Sequence, residues 1–445
     1  MKNYIYLLLL LTAIYYQSCT SDNDKPFVLN SASDYKSDVA IDWVNLQRDL
    51  VKTTPGFSPP VAARAYAYAA LALYETVRPG IRGNVSYSGL INAYTANGIP
   101  SLETEKNYNW ELAANACMAS ILKNQFKSKA TADSTISLLE QKYINNNNSS
   151  DILEKTRSIA FGKSVAEAIY NFSMTDGKDL AYVDNFPDYM LPNIPGVWEP
   201  TSPNNPECLQ AYWGAVRPFL VANVDDNLIT AYPPTTYSTD SKSVFYLQAN
   251  EVYIIGSNLT LEQTIIAKYW SDDPGLTSTP PGHSMSIAGI VLKNESANLA
   301  LAAEVFSKVG LAVHDAFVSC WKSKYLYNLV RPVTYIKKYI DPNYTTLLST
   351  PPFPEHTSGH SVQTAAATAV LEEYFGYHYK LTDNTHESRT DINGTPRTFN
   401  SFAQMANETG ISRLYGGIHF RPSIELGILQ GGIVGRNIAS IKLKK

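Results

Sequence analysis

Long apolar segments with helical periodicity recur along the chain, and the segment after Ser58 shows the pattern best. It starts with Pro59-Pro60 and continues as VAARAYAYAALALYETV up to Pro79. Proline is favoured in the first turn of a helix and cannot continue one, so the prolines mark the two ends of an Ala-rich helix. An apolar surface this wide must be buried against other helices.

Other segments also have apolar residues at helical spacing, and we find neither sustained strand alternation nor an internal repeat. Residues 186–240 are dense in Pro, Asn and Tyr, which predicts a long irregular connection of the kind that is often functional. The chain is therefore predicted to be all-α, with two packed four-helix-type bundles and long irregular connections. The further helical patterns lie at 103–127, 131–144, 151–174, 242–257, 261–271, 285–293, 296–329, 359–375 and 400–440.

The composition is that of a large globular protein. Of 445 residues, 44% are apolar and 17% are charged, enough for a big core, and we expect a single domain over 41–445. The formal net charge of −4 and the absence of a basic stretch exclude nucleic acid as a partner class.

The N-terminus has the pattern of an export signal. A lysine precedes the apolar run from Ile5 to Ile14, which is too short to span a bilayer as a mature helix, so residues 1–18 are predicted to be a signal peptide. Cys19 is in the position of a lipid-attachment cysteine, and the alternative is a plain secretory signal with an incidental cysteine. Residues 19–40 are polar and are predicted to form a tether. We expect an exported protein, periplasmic, secreted or held at the outer membrane by lipid.

Three short motifs between residues 321 and 423 carry candidate chemistry. The first, WKSKYLYNLVRP, contains Trp321, Lys324 and Arg331. On one continuous helix the two cations would project from one face, about 10 Å apart along the axis, and Pro332 would end the helix. The alternative is an ordinary solvated basic face.

The second motif, FPEHTSGHS, precedes a helical run. Ser358 is a candidate N-cap and Gly359 allows close approach of a ligand to the backbone, so the start of this helix predicts an oxyanion cradle. His360 would stand beside it as a group that titrates near neutral pH. A zinc pair of His356 and His360 is a rival interpretation, which the intervening Thr-Ser-Gly disfavours.

The third motif, SRLYGGIHFRPS, contains Arg413 and His419. Six residues apart, they are about 120° out of phase on a helix, so they can converge on one ligand only if the chain bends at Gly416-Gly417. Together the motifs offer cations, imidazoles and a helix N-terminus, a donor set for a tetrahedral or trigonal bipyramidal oxyanion.

The order K-x6-R-P, S-G-H and S-R-x5-H resembles the signature of the vanadium-dependent haloperoxidases and the related acid phosphatases. The segments ARAYAYAALALYE, YWSDDPG and LAVHDAFVSCWKSKY are also similar to helices of bacterial haloperoxidases, nearest to the iodoperoxidases of marine flavobacteria. The resemblance implies an enzyme that uses vanadate to oxidise a halide, most readily iodide, with hydrogen peroxide to hypohalous acid.

The resemblance also implies a role for each residue. His419 would bind vanadium, His360 would be the acid–base residue, and Lys324 would additionally polarise bound peroxide. Trp321 and Phe353 would line the halide side of the pocket. Ser423 stands where the family usually has an aspartate that orients the metal-binding histidine, which weakens a nucleophilic role for His419. The residues that would hold the vanadate oxygens are Lys324, Arg331, Ser358, Gly359 and Arg413.

Two other functions remain open from the sequence. The same cradle would serve an acid phosphatase in which His419 is the phosphorylated nucleophile and His360 protonates the leaving group. An exported, Tyr-rich helical lipoprotein could also be a glycan-binding protein at the outer membrane, which would need aromatic platforms and no cationic cluster. The oligomeric state is open.

Overall fold

The structure, a computed structural model, describes residues 27–201 and 207–444. Within these ranges it contains fourteen α-helices and two short strands, which confirms the predicted all-α class. No helix in these ranges is long and apolar enough to cross a membrane. The predicted signal peptide and Cys19 lie outside the described residues. The helices are α1 Asp38–Thr53, α2 Pro59–Val77, α3 Trp110–Gln125, α4 Ala132–Asn146, α5 Ile152–Met174, α6 Asp226–Thr230, α7 Val244–Ser257, α8 Leu261–Tyr269, α9 Thr279–Asn294, α10 Leu299–Tyr327, α11 Pro332–Tyr339, α12 Gly359–Phe375, α13 Phe402–Tyr415 and α14 Arg421–Ala439.

Each predicted helical segment contains a helix, and three helices were not predicted. The helix α1 has a mixed sequence, yet Val39, Trp43 and Leu50 bury one face of it. The others are short: α6, within the predicted irregular connection, spans five residues and α11 spans eight. The predicted tether 19–40 is described from residue 27 onward, where Ala32 is already buried and α1 begins at Asp38.

A small hairpin is the other feature that the sequence patterns did not show. Strands β1, Leu381–Asp383, and β2, Arg397–Phe399, pair antiparallel, with Leu381 opposite Phe399. Three residues are too few to display strand alternation, so periodicity could not reveal them. The hairpin places Asp383 against α8 and α9.

The long helix α10 forms the centre of the core. It is buried along most of its length and packs against α2 on one side and α12 on the other. Asp315, fully buried on α10, accepts hydrogen bonds from the backbone N–H groups of Phe219 and Leu220 at 2.7 and 2.9 Å and from the Asn223 amide at 2.8 Å. The irregular connection 186–240 is thereby tied to the central helix.

Helix α14 approaches α12 closely along a stripe of glycines. A Cβ atom at Gly431 would lie 2.0 Å from the Val362 carbonyl oxygen, and one at Gly435 would lie 2.3 Å from that of Ala366. At Gly427 it would lie 3.2 Å from the carbonyl oxygen of Ser358, at the start of α12. Only glycine permits this backbone contact, which fixes the second motif relative to the third.

Candidate active site

The three motifs meet at the floor of one cavity of about 800 Å³. Gly359 and His360 reach it from the start of α12, and Arg413 reaches it from the last turn of α13. His419 reaches it from the loop before α14. Trp321 and Phe353 also line this cavity, whereas Lys324, Arg331 and Ser358 are fully buried and do not line it.

Lys324 and Arg331 do not share a helix, which corrects the sequence-based expectation. Helix α10 ends at Tyr327 because Asn328 adopts the left-handed conformation, with φ 47°. Arg331 is the N-cap of α11, and Pro332 begins that helix. Proline is favoured in a first helical turn, so here it starts an element that it was expected to end.

Arg331 is fully buried beside His419. Its Nε donates to the Phe353 carbonyl at 3.0 Å, and its Nη1 donates to the Ile418 carbonyl at 2.8 Å and lies 3.2 Å from His419 Nε2. Its Nη2 is buried and has no hydrogen-bond partner. Burial lowers the pKa of Arg331 to about 10, so it remains a cation with one donor unsatisfied.

Lys324 is also fully buried, and all three of its donors are engaged. Its Nζ donates to the carbonyls of Pro354, Glu355 and Thr357 at 2.9, 3.0 and 2.6 Å. Burial lowers the pKa of Lys324 to about 8. An ammonium group has three N–H donors, so Lys324 organises the loop that carries the second motif and has no donor left over for a ligand.

His419 is held by a carboxylate that the sequence analysis missed. Its Nδ1 lies 2.7 Å from Glu355 Oε1, and both residues are buried. Burial and the nearby Arg331 and Lys324 hold the pKa of His419 well below its usual value. The ring is therefore neutral, with Nδ1–H donating to Glu355 and the Nε2 lone pair facing Arg331 and the cavity.

Ser423 makes no hydrogen bond to His419, although it occupies the position of the family's usual aspartate. Its hydroxyl donates to Glu355 Oε2 at 2.6 Å and lies 2.8 Å from His356 Nδ1. Glu355 also accepts from the Phe420 backbone N–H at 3.0 Å. Burial raises the pKa of Glu355, and its donors oppose that rise. The carboxylate that the family usually has after His419 is thus supplied by Glu355 of the second motif. The sequence feature that could have indicated it is a single acidic residue in that motif.

The start of α12 offers unpaired polar groups to the cavity. Ser358 is the N-cap, but its hydroxyl makes no capping bond and accepts instead from the Ser361 hydroxyl at 3.0 Å. His360 Nε2 is buried without a partner, and burial followed by the charge of Arg413 holds the His360 pKa well below its usual value. The first N–H groups of α12 are therefore free of a side-chain cap.

The rival zinc pair is not formed. Both nitrogens of His356 are engaged, Nδ1 with Ser423 and Nε2 with the Tyr232 carbonyl at 2.7 Å. His356 precedes α12 and does not line the cavity, whereas His360 does.

Arg413 and His419 converge because the chain bends between them, as the sequence predicted. Helix α13 ends at Tyr415, Gly417 has a φ of 77°, and α14 begins at Arg421. Arg413 Nη2 donates to the Ala267 carbonyl at 3.0 Å, and burial lowers the Arg413 pKa to about 10.

Aromatic rings form one wall of the cavity. Trp321 and Phe353 have ring centroids 4.9 Å apart, and both line the cavity. Lys324 Nζ and Arg331 Cζ each lie 5.0 Å from the centre of the Phe353 ring. Further walls come from segments that no motif indicated, namely 51–59, 185–186, 271–275 and 348–352.

Comparison with known proteins places this site in a family. A solved bacterial vanadium-dependent iodoperoxidase is 32% identical to the chain, with a TM-score of 0.81, and the alignment covers 92% of this chain and 98% of that one. Apo and holo structures of a bacterial vanadium-dependent chloroperoxidase have TM-scores of 0.66 at 15% identity. They cover 87% and 94% of this chain and 94% and 98% of their own, and show the fold alone.

The family model for the VCPO second helical-bundle domain matches residues 304–444, which include all three motifs. No curated protein sequence matches the chain. The similarity to the iodoperoxidase determines the family of this chain, because the alignment spans nearly the whole of both chains at more than 30% identity. The chain belongs to the family of vanadium-dependent haloperoxidases.

Proposed function

We propose that this protein is a vanadate-dependent haloperoxidase that oxidises iodide with hydrogen peroxide to hypoiodous acid. The observation that carries the proposal is the buried, unpartnered Nη2 of Arg331, whose Nη1 lies 3.2 Å from Nε2 of the cavity-lining His419. A buried cation with an unused donor is costly unless an anion completes it. A metal oxyanion would accept a hydrogen bond from Arg331 through an oxygen and would bind the His419 imidazole through the metal.

The donor set fits vanadate. Arg331, Arg413 and the N-terminus of α12 at Ser358 and Gly359 would hold its oxygens, and His419 Nε2 would be the metal ligand. Lys324 would contribute its positive charge, and it would donate directly only by exchanging one of its three carbonyl partners. When bound, vanadate supplies Lewis-acid activation of peroxide without a change in its own oxidation state.

His360 is placed to move protons at its Nε2 atom. Its low pKa keeps it neutral at neutral pH, so it can accept a proton from hydrogen peroxide as the peroxide binds. It can return that proton when the hypohalous acid leaves. Burial and then the charge of Arg413 hold this pKa down, and a bound anion would offset the Arg413 charge and raise the pKa toward the range useful for this exchange.

Iodide is the halide that the wall of the cavity favours. Trp321 and Phe353 present apolar, polarisable surfaces, and iodide is the halide whose dehydration costs least. The two cations behind Phe353 add attraction for an anion at the ring. The similarity to an iodoperoxidase points the same way.

A halide oxidation assay tests the proposal directly. Purified protein is given hydrogen peroxide with iodide, bromide or chloride, before and after addition of orthovanadate. We expect vanadate-dependent triiodide formation that is lost in His419→Ala together with vanadium retention after dialysis. Absence of oxidation by protein that holds stoichiometric vanadium would overturn it, and activity with bromide or chloride would widen the halide range.

An acid phosphatase is the second candidate, and one observation favours it. Glu355 gives His419 the carboxylate support that a phosphorylated histidine nucleophile needs, so the substitution at position 423 no longer argues against this chemistry. Hydrolysis of a phosphomonoester in the absence of vanadate, lost in His419→Ala, would support the phosphatase.

We also propose export by a leader of residues 1–18 with lipid attached at Cys19. Support comes from the sequence pattern alone. Expression with a radiolabelled fatty acid should label the wild-type chain and not Cys19→Ser. A mature N-terminus elsewhere than Cys19 would argue for a plain secretory signal.

A further inference from the structure

A second cluster of buried ionisable groups lies beside the cavity and takes no part in the proposed reaction. His283 Nδ1 is 2.9 Å from Asp272 Oδ2, and His386 Nε2 is 3.1 Å from Asp272 Oδ1. One ligand atom from each of the three residues can be chosen so that all lie within 4.8 Å of one another. All three side chains are buried, with at most 3% of each residue exposed.

We propose that Asp272, His283 and His386 form a binding site for a divalent transition-metal ion, with zinc as the best match. Two imidazoles and one carboxylate are a common ligand set for such ions, and a water molecule would complete a tetrahedron. Ligands of one zinc ion, at bond lengths of about 2.0–2.2 Å, lie roughly 3.4 Å apart. The separations of 2.9 and 3.1 Å, which involve different oxygens of Asp272, would widen on binding, and the three ligand atoms already lie within 4.8 Å of one another.

The groups around the cluster are those expected to support a metal ligand. His283 Nε2 lies 2.8 Å from Asp383 Oδ2, which leaves Nδ1 for the ion. Asp383 is itself held by the Tyr269 hydroxyl at 2.9 Å and the Thr385 backbone N–H at 2.9 Å. A carboxylate on the far nitrogen of a metal-binding histidine fixes its tautomer and orientation.

The charges of the cluster also favour a cation. Asp272 and Asp383 are both buried, and between them they face the imidazoles of His283 and His386. A divalent ion held by neutral imidazoles would balance the charges of both carboxylates.

The proposed site would join three separate parts of the chain next to the cavity. Asp272 belongs to the cavity wall that follows α8, His283 to the second turn of α9, and His386 to the segment after β1. Asp272 has a φ of 50°, a conformation that a non-glycine residue adopts only when its surroundings hold it there. A metal ion at this point would hold the wall and the hairpin together.

Metal content of the full-length protein tests the inference without any activity assay. Chelator-treated protein is incubated with Zn²⁺, passed through a desalting column and analysed for bound metal, and Co²⁺ is used in parallel for its visible absorption. We expect one tightly bound ion per chain, tetrahedral Co²⁺ bands, and at least a hundredfold weaker binding in His386→Gln. The matched control is His378→Gln, an exposed histidine just before β1, which should bind like the wild type.

A thermal melt of each variant shows that it is folded, so lost binding cannot be confused with unfolding. Wild-type protein that retains less than 0.1 ion per chain, as an order-of-magnitude limit for a real site, would overturn the inference. Binding that is equal in His386→Gln and His378→Gln would also overturn it, and the cluster would then be a hydrogen-bonded imidazolium. Zinc retention does not depend on vanadate, so this result stands apart from that of the halide assay.

Discussion

Glu355 and His419 are 64 residues apart in the chain and form a buried hydrogen bond of 2.7 Å. This contact sets the tautomer of the imidazole, since Nδ1 must carry the proton that Glu355 accepts. The Nε2 lone pair is then directed at Arg331 and the cavity. A single carboxylate thus determines which face of His419 is available to a ligand.

Glu355→Gln should weaken vanadate binding by about 10- to 100-fold, the usual effect of losing a carboxylate behind a metal-binding histidine. The amide can still accept from His419, but it no longer increases the basicity of the ring. Equilibrium dialysis against vanadate measures the change. Glu373→Gln, an exposed position on α12, is the control and should bind normally. Unchanged affinity in Glu355→Gln would show that its charge is not used.

Arg331→Lys should reduce the affinity for phosphate and vanadate by roughly 10- to 100-fold, because it removes the free Nη2 donor and the rigid geometry of the guanidinium. Either anion should raise the melting temperature of the wild type, by an amount that grows with the logarithm of its affinity. The shift at a fixed anion concentration should therefore be much smaller in the variant. Arg436→Lys, exposed on α14, should behave like the wild type; equal shifts in all three proteins would exclude Arg331 from the cradle.

Lys324→Ala should impair turnover more than it impairs vanadate binding, as the proposed polarisation of peroxide requires. The structure adds a second effect, because the variant leaves three backbone carbonyls without their donor. We expect destabilisation by about 3–5 kcal/mol in urea denaturation, the usual result of breaking a buried charged network. Lys337→Ala, exposed on α11, is the control. Equal loss of binding and turnover would contradict the role in turnover.

Phe353→Leu should raise the KM for iodide several-fold with a smaller change in kcat. The variant removes a ring that lies 5.0 Å from each of two cations and forms part of the aromatic wall, while it keeps apolar volume. Steady-state kinetics with iodide and bromide measure the change, with Phe375→Leu on α12 as a remote control. A bromide-to-iodide preference that does not change would indicate that Phe353 only packs.

His314 should make the protein sensitive to acid. Burial lowers its pKa from 6.5 to about 4, so between these values the unfolded chain binds a proton that the folded one does not. The unfolding free energy should therefore fall as the pH falls through this window, by about 1.4 kcal/mol per pH unit for this group. His314→Phe keeps the ring packing against Phe219 and should show a correspondingly weaker pH dependence in urea denaturation. Parallel curves for the two proteins would contradict the assignment.

The sequence predicted the helical class, most helices and the residues that line the floor of the cavity, because each of these leaves a local pattern. It did not predict the separation of Lys324 and Arg331 onto two helices. This separation depends on Asn328 adopting a left-handed conformation. The asparagine side chain favours that conformation only weakly, so the residue type does not predict it. The sequence analysis therefore placed Lys324 and Arg331 on one continuous helix, which is wrong.

Glu355 shows a second limit of sequence reasoning. The family's usual aspartate is absent after His419, and its partner comes from a different motif, so no local spacing could join the two. The cluster of Asp272, His283 and His386 was missed for the same reason, since its members meet only when α8, α9 and the hairpin pack together. Contacts between distant segments need the folded chain.

The glycine stripe of α14 has a consequence for the way this site comes into being. Ser358 to His360 and His419 to Ser423 belong to two helices and their approaches, and these touch without side chains between them. Neither of these two segments supplies the complete donor set by itself, because the anion needs donors from both at once. The protein therefore becomes able to bind the anion only when α14 packs against α12. We expect a chain truncated before α14 to lack the complete donor set for the anion.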